Sequence, residues 1–397
     1  MVNCNVINIS LIPFRNKDDF VKVLLFANTD WYLYNFRRTL ASEILNVGHE
    51  VILVSPPGYY CSKFKDMGFR WIAAPMERRS LNPFRELLFI TWLCNLIRSE
   101  NIHLIHGFTI KNAIYGSLAA RLTGDCVSVS AVVGMGYVFT SRDLRARLLR
   151  PFIRLIMRFA FGGLKSRLIL QNPDDVSLFT TAGIVSSEII HLIRSSGVDC
   201  SCFNQCSLRS PDEPLRILLA ARLLWDKGLA EYAEASRILI SQGRKVRFLL
   251  AGTTDTGNPN TVPESVVKSW EEEGIIEWLG HVDDMSSLLA SIHVMALPSY
   301  GEGVPRSLIE AAACGLALVA TDAPGCREVI SHEIDGLLVP MRNAGALASA
   351  IARLDDNSEW ASEMGQKSKI KAQNEFDERI VISKTLDVYR ELLPNFS

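Results

Sequence analysis

Short apolar runs recur along this chain, each followed by a longer stretch with helical spacing, and that alternation leaves few folds open. VKVLLF (21–26), VILVSPP (51–57), IHLIHGF (102–108), VSVSAVVG (127–134) and SRLILQN (166–172) form a first series. LRILLAAR (215–222), VRFLLAG (246–252), IIEWLG (275–280), VMALPS (294–299) and LALVATD (316–322) form a second. Near-continuous apolar strands alternating with helices predict parallel sheets covered on both faces. Between the two series lies SSGVDCSCFNQCSLRSPDEP (195–214), which is polar and rich in turn formers. The pattern predicts an α/β chain of two Rossmann-like domains whose parallel sheets face a central cleft. An N-terminal domain is expected over 1–196, a hinge linker over 197–214 and a C-terminal domain over 215–376; the last helical stretch, 377–397, is open to either domain. At 397 residues the chain can bury two separate cores.

Composition removes several classes of function. A net charge of −1 gives no global field for nucleic acid. The nine cysteines are scattered, and Cys200, Cys202 and Cys206 lack a second group that would complete a zinc pattern. Reduced cytosolic thiols are the expectation. The N-terminus lacks the order of a signal peptide, and the longest apolar run, LLFITWLCNLI (87–97), falls short of the roughly 20 residues that span a bilayer. A cytoplasmic location is expected.

The stretch GEGVPRSLIEAAACG (301–315) follows one of the strand-like runs and reads as a glycine loop leading into a helix. Gly301 and Gly303 permit close approach by a ligand, Pro305 suits a helix start and Gly315 its end. Such a helix start attracts phosphate, yet the stretch carries two acids, Glu302 and Glu310. Carboxylates accept hydrogen bonds from sugar hydroxyls. With a diphosphate at the helix start, Glu302 would hold a hydroxylated group on one side and Glu310 a ribose on the other, which describes a nucleotide-diphosphate sugar. In AARLLWDKGL (220–229), Arg222 and Lys227 supply cations at another strand end. No Asp-x-Asp pair is present to hold a divalent metal, so these cations and the helix dipole would stabilise the leaving diphosphate. Singly, each residue has an ordinary structural explanation, such as a glutamate complementing a helix dipole. The ordered set at successive strand ends is far more specific.

With these residues in view, the sequence resembles glycosyltransferase family 4. The resemblance covers most of the chain and is strongest in LLAARLLWDKGL (218–229), in 279–330 and in DGLLVP (335–340). It implies a GT-B fold and a retaining, metal-independent hexosyl transfer without a cofactor. By the same resemblance Glu302 contacts the donor sugar and Glu310 the ribose, Arg222 and Lys227 bind the diphosphate, and the N–H groups of Gly303 and Val304 assist. Gly301, Gly252 and His281 complete the expected donor-binding set.

The first half resembles a narrower group, through HGFTIKNAIYGSLAARLTG (106–124) and VVGMGYVFTS (132–141). That group extends polyprenyl-diphosphate-linked sugars in bacterial surface polysaccharides such as O-antigen and capsule. Family members often carry His-x-His here, where this chain has His106-Gly107-Phe108. Phe108 has no hydrogen to donate, so His106 is the histidine left as a catalytic candidate. Thr109, Lys111 and Asn112, with Gly134, Gly136 and Tyr137, are the expected acceptor-binding residues, Lys111 as a cation for the acceptor diphosphate or the reaction centre.

Residues 141–170 carry Arg142, Arg145, Arg147, Arg150, Arg154, Arg158, Lys165 and Arg167 against a single acid, Asp143. Apolar residues alternate with them at near-helical spacing, as on a helix lying in a membrane interface. Arg142, Arg145, Arg150, Arg154 and Arg158 are therefore expected to hold the protein on the inner face of the membrane; a helix packed on its own core with a basic solvated face is the structural alternative. The overall expectation is transfer from a nucleotide sugar, UDP-hexose or UDP-N-acetylhexosamine, to undecaprenyl-diphosphate-linked saccharide. The rivals are a UDP-N-acetylhexosamine 2-epimerase and a non-catalytic nucleotide-sugar-binding subunit.

Overall fold

The computed structural model describes residues 20–77, 80, 82–132, 144–203, 209–210, 212–255 and 257–396, with backbone alone at 144–149. They form two compact units. The first takes the chain up to Leu170, then Asp175–Leu192 and the residues from Ile382 onward; the second takes Gln171–Asp174 and Ile193–Val381.

The first unit is built on seven strands: β1 (Lys22–Phe26), β2 (Glu50–Ser55), β3 (Arg70–Ala73), β4 (Leu104–Phe108), β5 (Val127–Val132), β6 (Ser166–Leu170) and β7 (Ile190–Leu192). They lie in the order β3-β2-β1-β4-β5-β6-β7, all parallel. The second unit has six: β8 (Leu215–Ala220), β9 (Val246–Ala251), β10 (Glu277–Gly280), β11 (Val294–Leu297), β12 (Ala317–Thr321) and β13 (Leu337–Val339). Their order is β10-β9-β8-β11-β12-β13, again parallel. The apolar runs became strands because both their faces are covered: β4, β5, β11 and β12 are buried at every residue. The short strands β3 and β7 sit at sheet edges, where partial exposure dilutes the apolar signal.

Strand order reverses between β1 and β4 in the first unit and between β8 and β11 in the second. Ligands of doubly wound sheets bind at such reversals, beyond the carboxyl ends of the strands. Arg222 and Lys227 follow β8, and Glu302 follows β11.

The expected hinge, 197–214, falls inside the second unit wherever it is described, and Val198 bridges Asp377 there. Of the helix Glu378–Leu392, the residues up to Val381 cluster with the second unit and those from Ile382 with the first. Its Tyr389 is fully buried and packs edge-on against Phe396, with ring centroids 5.3 Å apart.

Candidate active site

In the second unit the loop after β11 is tied to the turn after β8. Tyr300 donates its N–H to the Asp226 carbonyl at 2.8 Å, and the Ser299 hydroxyl donates to the same oxygen at 3.2 Å. This brings Lys227 and Glu302 together, with Nζ 2.5 Å from Oε1 and each side chain 15% exposed. Glu302 donates its N–H to the Pro324 carbonyl at 3.1 Å. Gly325, at φ +83°, lies so close that a β-carbon there would sit 2.1 Å from the Gly303 carbonyl oxygen. A side chain at 325 would therefore displace the loop.

The helix Arg306–Cys314 begins directly after this loop, with Pro305 as N-cap and no side-chain cap. The Leu308 N–H turns back to the Pro305 carbonyl at 3.2 Å, and no side chain caps this helix start, the kind of place where anions bind. Glu310 is paired with Arg306 one turn back, at 2.7 Å. Burial pushes the Glu310 carboxyl above its ordinary range, and Arg306 opposes the rise. Arg222 is 55% exposed and pairs with Asp255 at 2.7 Å. Gly252, at φ +144°, passes so near the Ala221 carbonyl oxygen that a β-carbon would sit 1.9 Å from it, which gives this glycine a steric reason. Gly301 faces open space, and the His281 imidazole is exposed 3.2 Å from Asp283. Cys326 is buried beside Lys227 and Glu302. Burial pushes its thiol up to about 12, with the Glu302 charge adding and Lys227 opposing, so it is no thiolate nucleophile.

One expectation needs correction. The Val304 N–H, expected to serve the donor, already donates to Gln171 Oε1 at 3.1 Å. The signals sequence reasoning missed are Arg306, Asp255, Gln171 and Asn172. Only Arg306 was within reach of it, four residues before Glu310 on one helical face.

The first unit departs further from expectation. His106 is buried in the interior, its Nδ1 2.6 Å from the Tyr389 hydroxyl and its ring 4.1 Å from that of Phe108. Burial holds the imidazole well below its ordinary pKa, and the Arg37 charge adds to this. The expected catalytic histidine is thus a neutral core group that anchors the C-terminal helix. Lys111 is also committed: its ammonium donates to the Ser80 carbonyl at 2.9 Å, to Glu86 at 3.0 Å and to the Glu77 carbonyl at 3.1 Å. Three donors meet three acceptors, leaving no hydrogen for an acceptor phosphate. Thr109 and Asn112 are more suggestive. Thr109 sits at φ +69°, a costly conformation for a β-branched residue. Asn112 is fully buried, and neither amide atom has a partner among the described residues. Gly134, Gly136, Tyr137 and Arg142 lie outside the described residues, as does the side chain of Arg145. Among the described residues, no three His, Cys, Asp or Glu side chains converge as a metal site.

Two family comparisons decide what this arrangement belongs to. Residues 22–172 match the family described as "Glycosyl transferase 4-like", and residues 214–357 match "Glycosyl transferases group 1". The chain is a glycosyltransferase. The transferase is 28% identical, over 91% of its own length and 96% of the relative's, to an N,N'-diacetylbacillosaminyl-diphospho-undecaprenol alpha-1,3-N-acetylgalactosaminyltransferase of Campylobacter jejuni. It is 23% identical to a UDP-Gal:alpha-D-GlcNAc-diphosphoundecaprenol alpha-1,3-galactosyltransferase of Escherichia coli, over 84% of its length and 86% of that protein's. A glycosyltransferase structure from Rickettsia africae superposes with a TM-score of 0.76 at 20% identity, covering 94% of the transferase and 99% of that chain. Its two parallel-sheet units are those of the GT-B fold. The site residues of the transferase after β8 and β11 all fall in the group 1 match.

Proposed function

We propose that the transferase moves a hexose or N-acetylhexosamine from UDP to an undecaprenyl-diphosphate-linked saccharide, with retention and without a metal. The observation that carries this reading is the Lys227–Glu302 pair at the strand reversal, 2.5 Å apart beside an uncapped helix start. Each partner holds the place of one half of the donor. A diphosphate offers Lys227 the negative charge that Glu302 now supplies, and sugar hydroxyls offer Glu302 the donors that Lys227 now supplies. Arg222 adds a second cation, and Glu310 takes the ribose.

In the transfer, the bond between the anomeric carbon and the diphosphate oxygen breaks while a bond to the acceptor oxygen forms on the same face. The electron pair leaves with the diphosphate, whose charge Lys227, Arg222 and the helix start stabilise. A phosphate oxygen takes the acceptor's proton, and this same-face route calls for no enzymic nucleophile.

Residence on the inner membrane face is part of this reading. The helix Leu144–Phe161 buries Met157, Ala160 and Phe161 while exposing Phe152 and Leu155, each 68% accessible, beside Arg154 and Arg158. Apolar side chains among arginines suit a headgroup boundary. Among the described residues no helix is long and apolar enough to cross a membrane.

The test is nucleotide release from a panel of UDP-, GDP- and other nucleotide sugars in EDTA, with and without undecaprenyl-diphosphate-linked monosaccharide. Release that requires the acceptor and survives EDTA is expected. Release without acceptor would point to an epimerase or hydrolase, and binding without release to a silent subunit.

A further inference from the structure

Four residues break the sequence order of the units. The segment Gln171–Asp174 belongs to the second unit, although β6 immediately before it and Asp175 immediately after belong to the first. Within the second unit this segment touches the loop that carries Glu302. Gln171 Oε1 accepts the Val304 N–H at 3.1 Å, and Asn172 Nδ2 donates to the Gly303 carbonyl at 3.2 Å. Both side chains are buried.

The C=O of Gly303 and the N–H of Val304 belong to one peptide group, held rigidly planar. An acceptor and a donor from two adjacent side chains therefore grip opposite edges of a single plane. Rotating that plane would set carbonyl against carbonyl oxygen at Gln171 and N–H against N–H at Asn172, with both amides buried and mismatched. Glycine at 303 gives the peptide rotational freedom, which the two amides restrict together with Gly325, packed against the Gly303 carbonyl. The plane lies one peptide beyond Glu302, whose own N–H is held by Pro324, and just ahead of Pro305, the N-cap of the helix. Its orientation sets where the Glu302 carboxylate stands relative to Lys227 and to the first-turn N–H groups.

We propose that Gln171 and Asn172 are positioning residues for donor transfer, holding the Gly303–Val304 peptide so that Glu302 and the helix start meet the nucleotide sugar together. The inference rests on the donor site proposed above. It assigns to the segment after β6 a part in donor binding that no local motif in this stretch announces.

The experiment uses the same one-atom exchange, amide to carboxylate, at both positions. Gln171→Glu keeps an acceptor for the Val304 N–H and, although it buries a carboxyl, is expected to lose less in donor kcat/KM than Asn172→Asp does. Asn172→Asp replaces the donor to the Gly303 carbonyl with an oxygen, and Gln171→Leu removes the acceptor. Each is expected to lower kcat/KM for the donor by roughly tenfold to a hundredfold, the scale of a misplaced reacting group, with acceptor KM unchanged. Amide exchange at Val304 gives a readout independent of turnover: faster in Gln171→Leu, protected in Gln171→Glu. A residue that only fills space would give equal losses in the two carboxylate variants, and that result overturns the inference. So does wild-type donor kinetics in Gln171→Leu with an active wild type, which leaves the proposed function standing. Failure of the wild-type chain to bind UDP, by calorimetry, overturns the donor-site reading and this inference with it.

Discussion

Lys227 and Glu302 neutralise each other at 2.5 Å with little solvent around either, so stability and activity should respond differently to their loss. Lys227→Met or Glu302→Gln leaves one sequestered charge uncompensated, at a cost of roughly 1–3 kcal/mol. The double variant carries no charge there and should recover most of that stability in urea unfolding. Catalysis should show no such recovery: each single variant is expected to lose about a hundredfold to a thousandfold in kcat, and the double to remain as slow. Recovery of kcat in the double variant would remove the pair from the chemistry. Thr109 offers a simpler test. Its φ of +69° is strained for a β-branched residue, so Thr109→Gly should raise stability by about 1 kcal/mol, read as a shifted urea midpoint. The four charged residues of the proposed donor site could be singled out in the sequence because loop glycines, strand ends and spacing all pointed at one ligand. Their partners were not. Asp255 lies 33 residues from Arg222, and Gln171 133 from Val304, distances at which pattern carries no contact information. His106 misled for a related reason: sequence marks a histidine at a strand end but not which face of the strand the next layer covers.

Among the elements, the central strands were legible because burial on both faces writes a continuous apolar run, whereas edge strands β3 and β7 keep one side wet and lose the signature. Helix Leu144–Phe161 is the element where sequence left two readings, a core helix with a basic face or a membrane-lying one. Its Met157 and Phe161 pack into the first unit's core beside Ile114 and Leu168, while Phe152, Leu155, Ile156 and Phe159 remain exposed. The packed face fits the core reading, and the exposed face is the one that the proposed membrane contact would use. Arg154 and Arg158 are exposed on it. Reversing both, Arg154→Glu with Arg158→Glu, removes two attractions of about 1 kcal/mol each and adds repulsion, so affinity for anionic vesicles should fall at least thirtyfold in flotation assays. Neutral vesicles should show almost no difference between the two proteins. Phe152→Ser should weaken binding to both vesicle types, since it removes insertion rather than charge.

At the scale of the whole molecule, the two units differ in how acid reaches them. In the first, burial lowers the pKa values of His103, His106 and His191, the Lys22 charge assisting at His103, Arg37 at His106 and Arg167 at His191, where Glu391 opposes. In the second, burial with the Arg216 charge pushes His293 down to about 4. A histidine held neutral in the folded state regains its ordinary value of about 6.5 on unfolding, so below that pH the unfolded chain binds more protons. Stability from these groups is therefore complete above about pH 6.5 and lost as pH falls toward the folded values, at up to about 1.4 kcal/mol per pH unit per histidine. Carboxylates depressed by ion pairs, such as Glu100, Glu333 and Asp356, lose their contribution only below about pH 4, where the unfolded chain takes up protons. Between pH 6.5 and 5 the slope is set by the described histidines whose pKa values are lowered, three in the first unit against one in the second, while Glu310, whose carboxyl burial raises, opposes the loss in the second. Amide exchange followed by mass spectrometry across that window should show protection of β4 and β6 falling more steeply than that of β11 and β12. His106→Gln, which cannot take up the proton in the unfolded chain, should flatten the first unit's slope and leave the second's alone. Equal slopes in wild type would mean that the units unfold as one cooperative body, because a single global transition would spread every histidine's proton uptake over both sheets.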